Sequence, residues 1–274
     1  MRAQAGFVSY LWLVVMAGLV LSLSIGLLMA GERDRENRAD VGHRAYLRDA
    51  AARLAQWYDY RSGATGAQAG PIDMALALAE AGITPRFGLQ AASSNRLSDG
   101  LVSWHVMALW LPDPHHVQGT AFDPATGAFT QGTWLSDGQP AEVAHAVFNG
   151  HASQLVKFSE SQRRLRTIAS RLENMFTRLR ELDPVAAEGR NWFRAVDCAS
   201  PNPGELPCYD GYRAIDATAV PVAAGVSSDT NVSAWGAAVE ISNLADSSTV
   251  SPYYMSVRTN LPWGGVLRVA AQEP

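Results

Sequence analysis

The sequence predicts an α+β protein: a long N-terminal membrane-spanning helix, an antiparallel sheet head, a second amphipathic helix and a second antiparallel sheet. Three observations predict it. Phe7 to Ala30 is a run of 24 residues without a charge. Gly31 to Arg61 contains no proline and keeps apolar residues at helical spacing. Beyond it, short alternating stretches bounded by Gly and Asp-Pro turns occur on both sides of a long amphipathic segment. The expected organisation is a leader over 1–6, a transmembrane half-helix over 7–30, a first helix-plus-sheet unit over 31–138 and a second over 139–274.

The N-terminal run sets the first question. As a helix rising about 1.5 Å per residue it spans roughly 36 Å, more than a bilayer core of about 30 Å. It is too long for the apolar core of a cleaved secretory signal, and Leu28 before Ala30 fits the small-residue cleavage rule poorly. Only Arg2 and the amine precede it, whereas Arg33, Arg35, Arg38, Arg44 and Arg48 follow. Counting basic residues therefore puts the C-terminal bulk in the cytoplasm. The cysteines say otherwise. Cys198 and Cys208 are the only two, in CASPNPGELPC. A turn-rich loop between two lone cysteines predicts a disulfide rather than two free thiols. The bridge would contribute about 2.5–3 kcal/mol on the loop-entropy model. It implies an oxidising compartment such as the periplasm.

The opening MRAQAG-FVSYL resembles a type IV pilin or a type II secretion pseudopilin: a short basic leader ending in Gly6, then Phe7, then an apolar helix. The resemblance implies processing between Gly6 and Phe7 by a prepilin peptidase and methylation of the new Phe7 amine. It also implies a single-pass place in the bacterial inner membrane, with the head in the periplasm or on a surface filament, and other pilin or pseudopilin subunits as partners. Leu11 stands where the family usually has a glutamate at the fifth mature position. That carboxylate answers a neighbouring subunit's amine inside the filament, where an unpaired charge is costly. Its replacement suits a minor subunit at a tip or in assembly priming. One helix from Phe7 to Arg61, roughly 80 Å long, would be the pilin-like spine.

The remaining elements follow in order. Leu47, Ala51, Leu54 and Tyr58 give the first helix an apolar face, and the alternating charges from Glu32 to Arg53 give it a solvated one. Ser62 to Pro71 reads as a loop and Ile72 to Ala81 as a short helix. Leu101 to Leu111 reads as an apolar strand, and Thr120 to Phe129 as strand, turn, strand. From Ala141 a helix is expected to run to Leu182 before Asp183-Pro184. Its stripe Leu165, Ile168, Leu172, Met175, Leu179 and Leu182 is either a coiled-coil surface or, as we favour, the face laid on the protein's own sheet. Tyr212–Val222, Ala234–Ser242, Tyr253–Thr259 and Gly265–Ala271 read as strands. LVSWHVMALWLPD and YYMSVRTNLPWG are loosely alike, which leaves a repeated unit and one continuous sheet both open.

Little of this suggests chemistry. The net charge of -4 provides no basic stripe, so no nucleic-acid partner is predicted. There is no P-loop, no GxSxG and no Cys–His pairing. His115-His116 are adjacent, His145 and His151 fall on different helix faces, and His105 sits in an apolar strand, so no metal site is expected. Two thiols without a nearby histidine do not make a zinc site. Trp235 and Trp263 read as turn-flanking core aromatics. The expectation is a structural filament subunit, not an enzyme, without cofactors. The alternative is a single-pass membrane protein with an extracytoplasmic ligand-binding or scaffolding domain.

Overall fold

A computed structural model describes residues 41–112, 117–183, 185, 189–248 and 250–274. It is mixed α and β, with antiparallel pairing throughout. Its N-terminal element corrects the expected fold class. Among the described residues no helix is long and apolar enough to cross a membrane. The membrane-spanning helix is thus no part of the described fold, and the single-pass inner-membrane placement loses its structural footing. The run 7–30 and the processing residues Gly6 and Phe7 lie outside the described residues, as do His115 and His116.

The helix that is described, α1 over residues 41–60, has a water-facing side for a physical reason. Leu47, Ala50, Leu54 and Tyr58 are buried on one face, while Arg48, Asp49, Arg53 and Gln56 are exposed on the other. The buried position is Ala50 rather than Ala51. A turn at Arg61 leads into α2 (Ser62–Ala67), where a loop was expected. The glycines of GATGA let this short helix touch its surroundings: a Cβ on Gly66 would stand 3.1 Å from Cβ of Pro262. Asp73 caps α3 (Met74–Glu80), its side chain accepting from the Ala75 and Leu76 N–H groups at 3.0 and 3.2 Å.

The first sheet has the order β1 (Gln90–Ser93), β4 (Val106–Trp110), β9 (His145–Asn149). A short hairpin, β2 (Leu97–Ser98) with β3 (Ser103–Trp104), lies between β1 and β4 in the chain. The expected Leu101–Leu111 strand is therefore split, with the break at His105. β4 is central and buried along its whole length. On one side Met107, Leu109 and Leu111 pack with α1 and α3. On the other, Ala108 and Trp110 pack with Val143, Phe122 and Phe129, the last two from the hairpin β6 (Ala121–Phe122) and β7 (Phe129–Thr130). A further pair, β5 (Val117–Gln118) with β8 (Thr133–Trp134), completes that side.

β9 replaces the start of the helix expected from Ala141. It lies beyond residue 138 yet pairs with β4 over five residues, from Val106↔Asn149 to Trp110↔His145. The helix α4 begins only after Gly150 and spans His151–Leu182. Its stripe is buried at Leu165, Ile168, Leu172 and Met175, together with Phe176, against Val239, Ile241, Met255, Val257, Leu267 and Ala271. Those residues come from the second sheet, β10 (Arg213–Ala214), β11 (Val239–Ser242), β12 (Tyr254–Asn260) and β13 (Val266–Gln272), in that order. Burial of alternate residues on one sheet face fits the helix-over-sheet reading of the stripe. Leu182 is exposed. The Tyr212–Val222 strand is shorter than expected: after β10 the chain turns through a 3-10 helix (Ile215–Ala217) into α5 (Val220–Ala224), with Pro221 in its first turn.

Candidate functional site

Polar side chains gather at three places. The first is buried where the two helix–sheet units meet. Tyr58 of α1, Thr65 of α2, His105 at the β3–β4 break and Gln154 of α4 converge there. The Tyr58 hydroxyl accepts from the His105 N–H at 3.1 Å and from Gln154 Nε2 at 3.4 Å. Gln154 Nε2 also donates to the Ser62 carbonyl at 3.1 Å, and its Oε1 accepts from the Trp235 indole at 2.8 Å. Trp263 meets Trp235 edge to face, with ring centroids 5.2 Å apart. Burial pushes the Tyr58 phenol above its ordinary range, and the hydrogen bonds from Gln154 and His105 offset part of that rise. Fully enclosed and fully bonded, this junction orients the units and offers no entry to a substrate.

The second place is the β2–β3 hairpin against the start of α4. The Asp99 carboxylate accepts from the Val102 and Leu101 N–H groups at 2.9 Å each and lies 2.9 Å from His151 Nε2. These partners, Val102 first, then His151 and Leu101, hold the Asp99 carboxyl down at about 2. Trp104 stacks edge-on against the His151 ring, centroids 4.5 Å apart. An Asp–His pair of this kind orients an imidazole. Among the described residues no hydroxyl or thiol is hydrogen-bonded to that imidazole; the pair ties the hairpin to the helix.

The third place is the far end of the second unit. Cys198 and Cys208 are joined in a disulfide with Cα atoms 5.2 Å apart. Asn243, buried after β11, ties that loop to the sheet. It donates to the Phe193 and Pro207 carbonyls at 2.9 Å each and accepts from the Tyr209 N–H at 2.7 Å. Arg190 stacks on Trp192 with its guanidinium 3.8 Å from the ring centre, and pairs with Glu205 inside the loop. On the solvent face of the sheet, the Tyr212 hydroxyl donates to the Asp246 carboxylate at 2.9 Å and accepts from the Ser256 hydroxyl at 2.7 Å. Arg258 lies over the Tyr212 ring and pairs with Glu240 at 2.8 Å, and Arg268 pairs with Asp246 at 3.0 Å. The Tyr212 hydrogen bond, then Arg268, hold Asp246 below the usual carboxylate range. This ordered cluster of paired charges beside a covalently closed loop is the candidate site.

Among the residues singled out from the sequence, the structure brings together Cys198 with Cys208 and Trp235 with Trp263. It separates His145 from His151: the first ends up on β9, stacked on Phe129, and the second on α4. No group of three or more His, Cys, Asp or Glu that could hold a metal occurs among the described residues. Sequence reasoning missed Asn243, Gln154 and the Asp99–His151 pair. Only Asp99 had a local signal, in the turn sequence Ser-Asp-Gly. Comparison with known proteins returns no match: no family model, no curated protein and no solved structure is similar to this chain.

Proposed function

We propose that the chain is a minor, pilin- or pseudopilin-like structural subunit of a type IV pilus or type II secretion-like filament, acting at a tip or in assembly priming. The observation that carries it is the Gly6-Phe7 junction, preceded by Arg2 and followed by 24 residues without a charge. Leu11 in place of the expected glutamate favours a minor subunit over a repeating one. The exposed loop-and-lattice surface at the far end of the second unit supports a role in recognition, since its charges are paired and pre-ordered rather than aimed into a cleft. Work of this kind is done by non-covalent packing between subunits, and it requires a prepilin peptidase to expose Phe7.

Mass spectrometry of the mature N-terminus tests the reading. A chain beginning at a methylated Phe7 is expected. An intact Met1, or a chain beginning after Ala30, would sink it.

A further inference from the structure

A groove runs along the exposed face of α1, away from both the junction and the far end of the second unit. Two open depressions make it up. One, of about 570 Å³, is lined by Gln56, Trp57, Tyr60 and Glu80. The other, of about 370 Å³, lies between Tyr46 and the chain at Thr84 and Arg86. They share Asp49 and Arg53. From Tyr46 to Tyr60 the helical wall is about 21 Å long.

The opposite wall, from Glu80 to Arg86, is pinned to α1 at both ends. The Tyr46 hydroxyl donates to the Thr84 carbonyl at 2.9 Å and accepts from the Arg86 N–H at 3.2 Å. Glu80 accepts from the Trp57 indole at 2.7 Å and from Arg61 at 2.7 Å. Trp57 also packs against the first core, which fixes its ring where it lines the groove. Between these ends, polar groups are left over. Asp49 accepts from Arg53 Nε at 2.9 Å. That bond orients the guanidinium and leaves its NH1 and NH2 groups without an acceptor among the described residues. NH1 reaches across to Gly82, 3.9 Å from where a Cβ would stand. The side chains of Gln56 and Tyr60 make no hydrogen bond among the described residues, and Tyr60 is 85% exposed.

The chemistry of the groove selects a class of ligand. Carboxylate, guanidinium and amide groups held in fixed planes match hydroxyls, which both donate and accept. Aromatic rings beside them match the C–H face of a sugar ring, whose positive hydrogens meet the negative π face. The carboxylates are matched by guanidiniums, Asp49 by Arg53 and Glu80 by Arg61, so a charged ligand gains little. The N–H and C=O groups of α1 are bonded within the helix, so this wall offers no strand edge to an extended peptide. Being open along its length, the groove suits a chain half in water better than a small apolar molecule, which needs enclosure.

We propose that this groove binds a neutral saccharide chain, with Trp57 and Tyr60 as stacking surfaces and Asp49, Arg53 and Gln56 as partners of its hydroxyls. The proposal stands apart from the filament reading and survives its failure.

Titration of the nitrogen-15-labelled full chain tests it, with maltohexaose, cellohexaose and the N-acetylglucosamine hexamer as probes. At least one hexamer is expected to bind with a dissociation constant below about 1 mM, more tightly than its disaccharide, shifting the amides from Asp49 to Tyr60. Tyr60→Ala and Gln56→Ala, both at exposed side chains, should each weaken binding roughly tenfold and leave thermal unfolding unchanged. No shift with any of the three hexamers at about 10 mM would overturn the proposal. So would binding that Tyr60→Ala leaves intact and Arg268→Gln abolishes, which would place the sugar at the far end of the second unit. A galacturonate hexamer bound more tightly than the neutral ones would overturn the choice of a neutral ligand.

Discussion

Gly150→Ala is the sharpest probe of the junction. A Cβ at Gly150 would stand 2.5 Å from Cε1 and Cζ of Tyr58 and 2.6 Å from its hydroxyl oxygen. Tyr58 is fully buried and packs edge-on against Phe148 at 5.3 Å, so its ring has nowhere to withdraw. Overpacking of this kind costs about 1–3 kcal/mol. Displacing the hydroxyl also strands buried donors, the His105 N–H and Gln154 Nε2, at about 1–3 kcal/mol for each left unpaired. Gly150 has φ −72°, which alanine adopts freely, and the smaller entropy of the unfolded alanine chain returns about 0.4–1 kcal/mol. The net expectation is a loss of about 2–8 kcal/mol. Urea unfolding reads it as a lower midpoint with unchanged slope. Gly42→Ala is the control: it lies exposed in α1 with nothing within 4 Å of its added Cβ, and should stabilise by about 0.5–1 kcal/mol. Tyr58→Leu combined with Gly150→Ala should cost less than the sum of the two. A Gly150→Ala chain as stable as Gly42→Ala would refute the claim that Tyr58 is fixed by its surroundings.

Three further outcomes are expected. Reducing the Cys198–Cys208 bridge should lower stability by about 2.5–3 kcal/mol through the freedom restored to the unfolded loop, read by thermal unfolding with and without reductant. Asp99, held at about 2 in the fold against about 3.9 when unfolded, stabilises the hairpin above pH 4 and loses that contribution as pH falls from 4 towards 2; NMR of the Leu101 and Val102 amides should show them loosening over that window, and Asp99→Asn should remove the transition. Leu172→Ala should cost about 2–5 kcal/mol and Leu182→Ala less than about 0.5, because the first is enclosed under the second sheet and the second is 75% exposed; equal effects in urea unfolding would mean that α4 is not laid on that sheet as described.

What was legible in the sequence was what periodicity encodes. The stripe from Leu165 to Met175 repeats at helical spacing because one face of α4 lies on a sheet, and β12 and β13 alternate because one face of that sheet lies under α4. What was missed was decided by distant residues. Ala141 to Phe148 has no breaker and reads on into the helix, yet residues 145–149 pair with β4, and the switch comes at Gly150, where Tyr58 permits no side chain. Ser62 to Ala67 is rich in glycine and reads as a loop, but contacts with Pro262, Trp235 and Gln154 hold it as a helix. The break in Leu101–Leu111 falls at His105, whose backbone N–H donates to the Tyr58 hydroxyl rather than to a neighbouring strand. Of the candidate site, the disulfide was legible from its turn-rich spacing, whereas Asn243 and Tyr212 carry no local signal: each matters through a partner more than thirty residues away.

The two units could have been joined by an apolar contact, and the choice of a polar one has a consequence. Apolar surfaces are satisfied in many relative positions, because dispersion and burial depend weakly on register. The junction between α1, α2, β4 and α4 is satisfied in one. Gln154 must reach Tyr58, Ser62 and Trp235 at once, and His105 must reach Thr65, Gln68 and Ser94 at once. Sliding either unit by one residue would orphan several buried groups, each costing about 1–3 kcal/mol. Such a junction adds little net stability over an apolar equivalent, since desolvation offsets most of what the bonds return. What it adds is a single orientation. For a protein whose proposed work is recognition through one unit's surface, orientation is the property that matters. It follows that Gln154→Leu, which strands the Trp235 indole N–H and the Ser62 carbonyl, should lower the urea midpoint, and that adding Trp235→Phe should recover part of the loss.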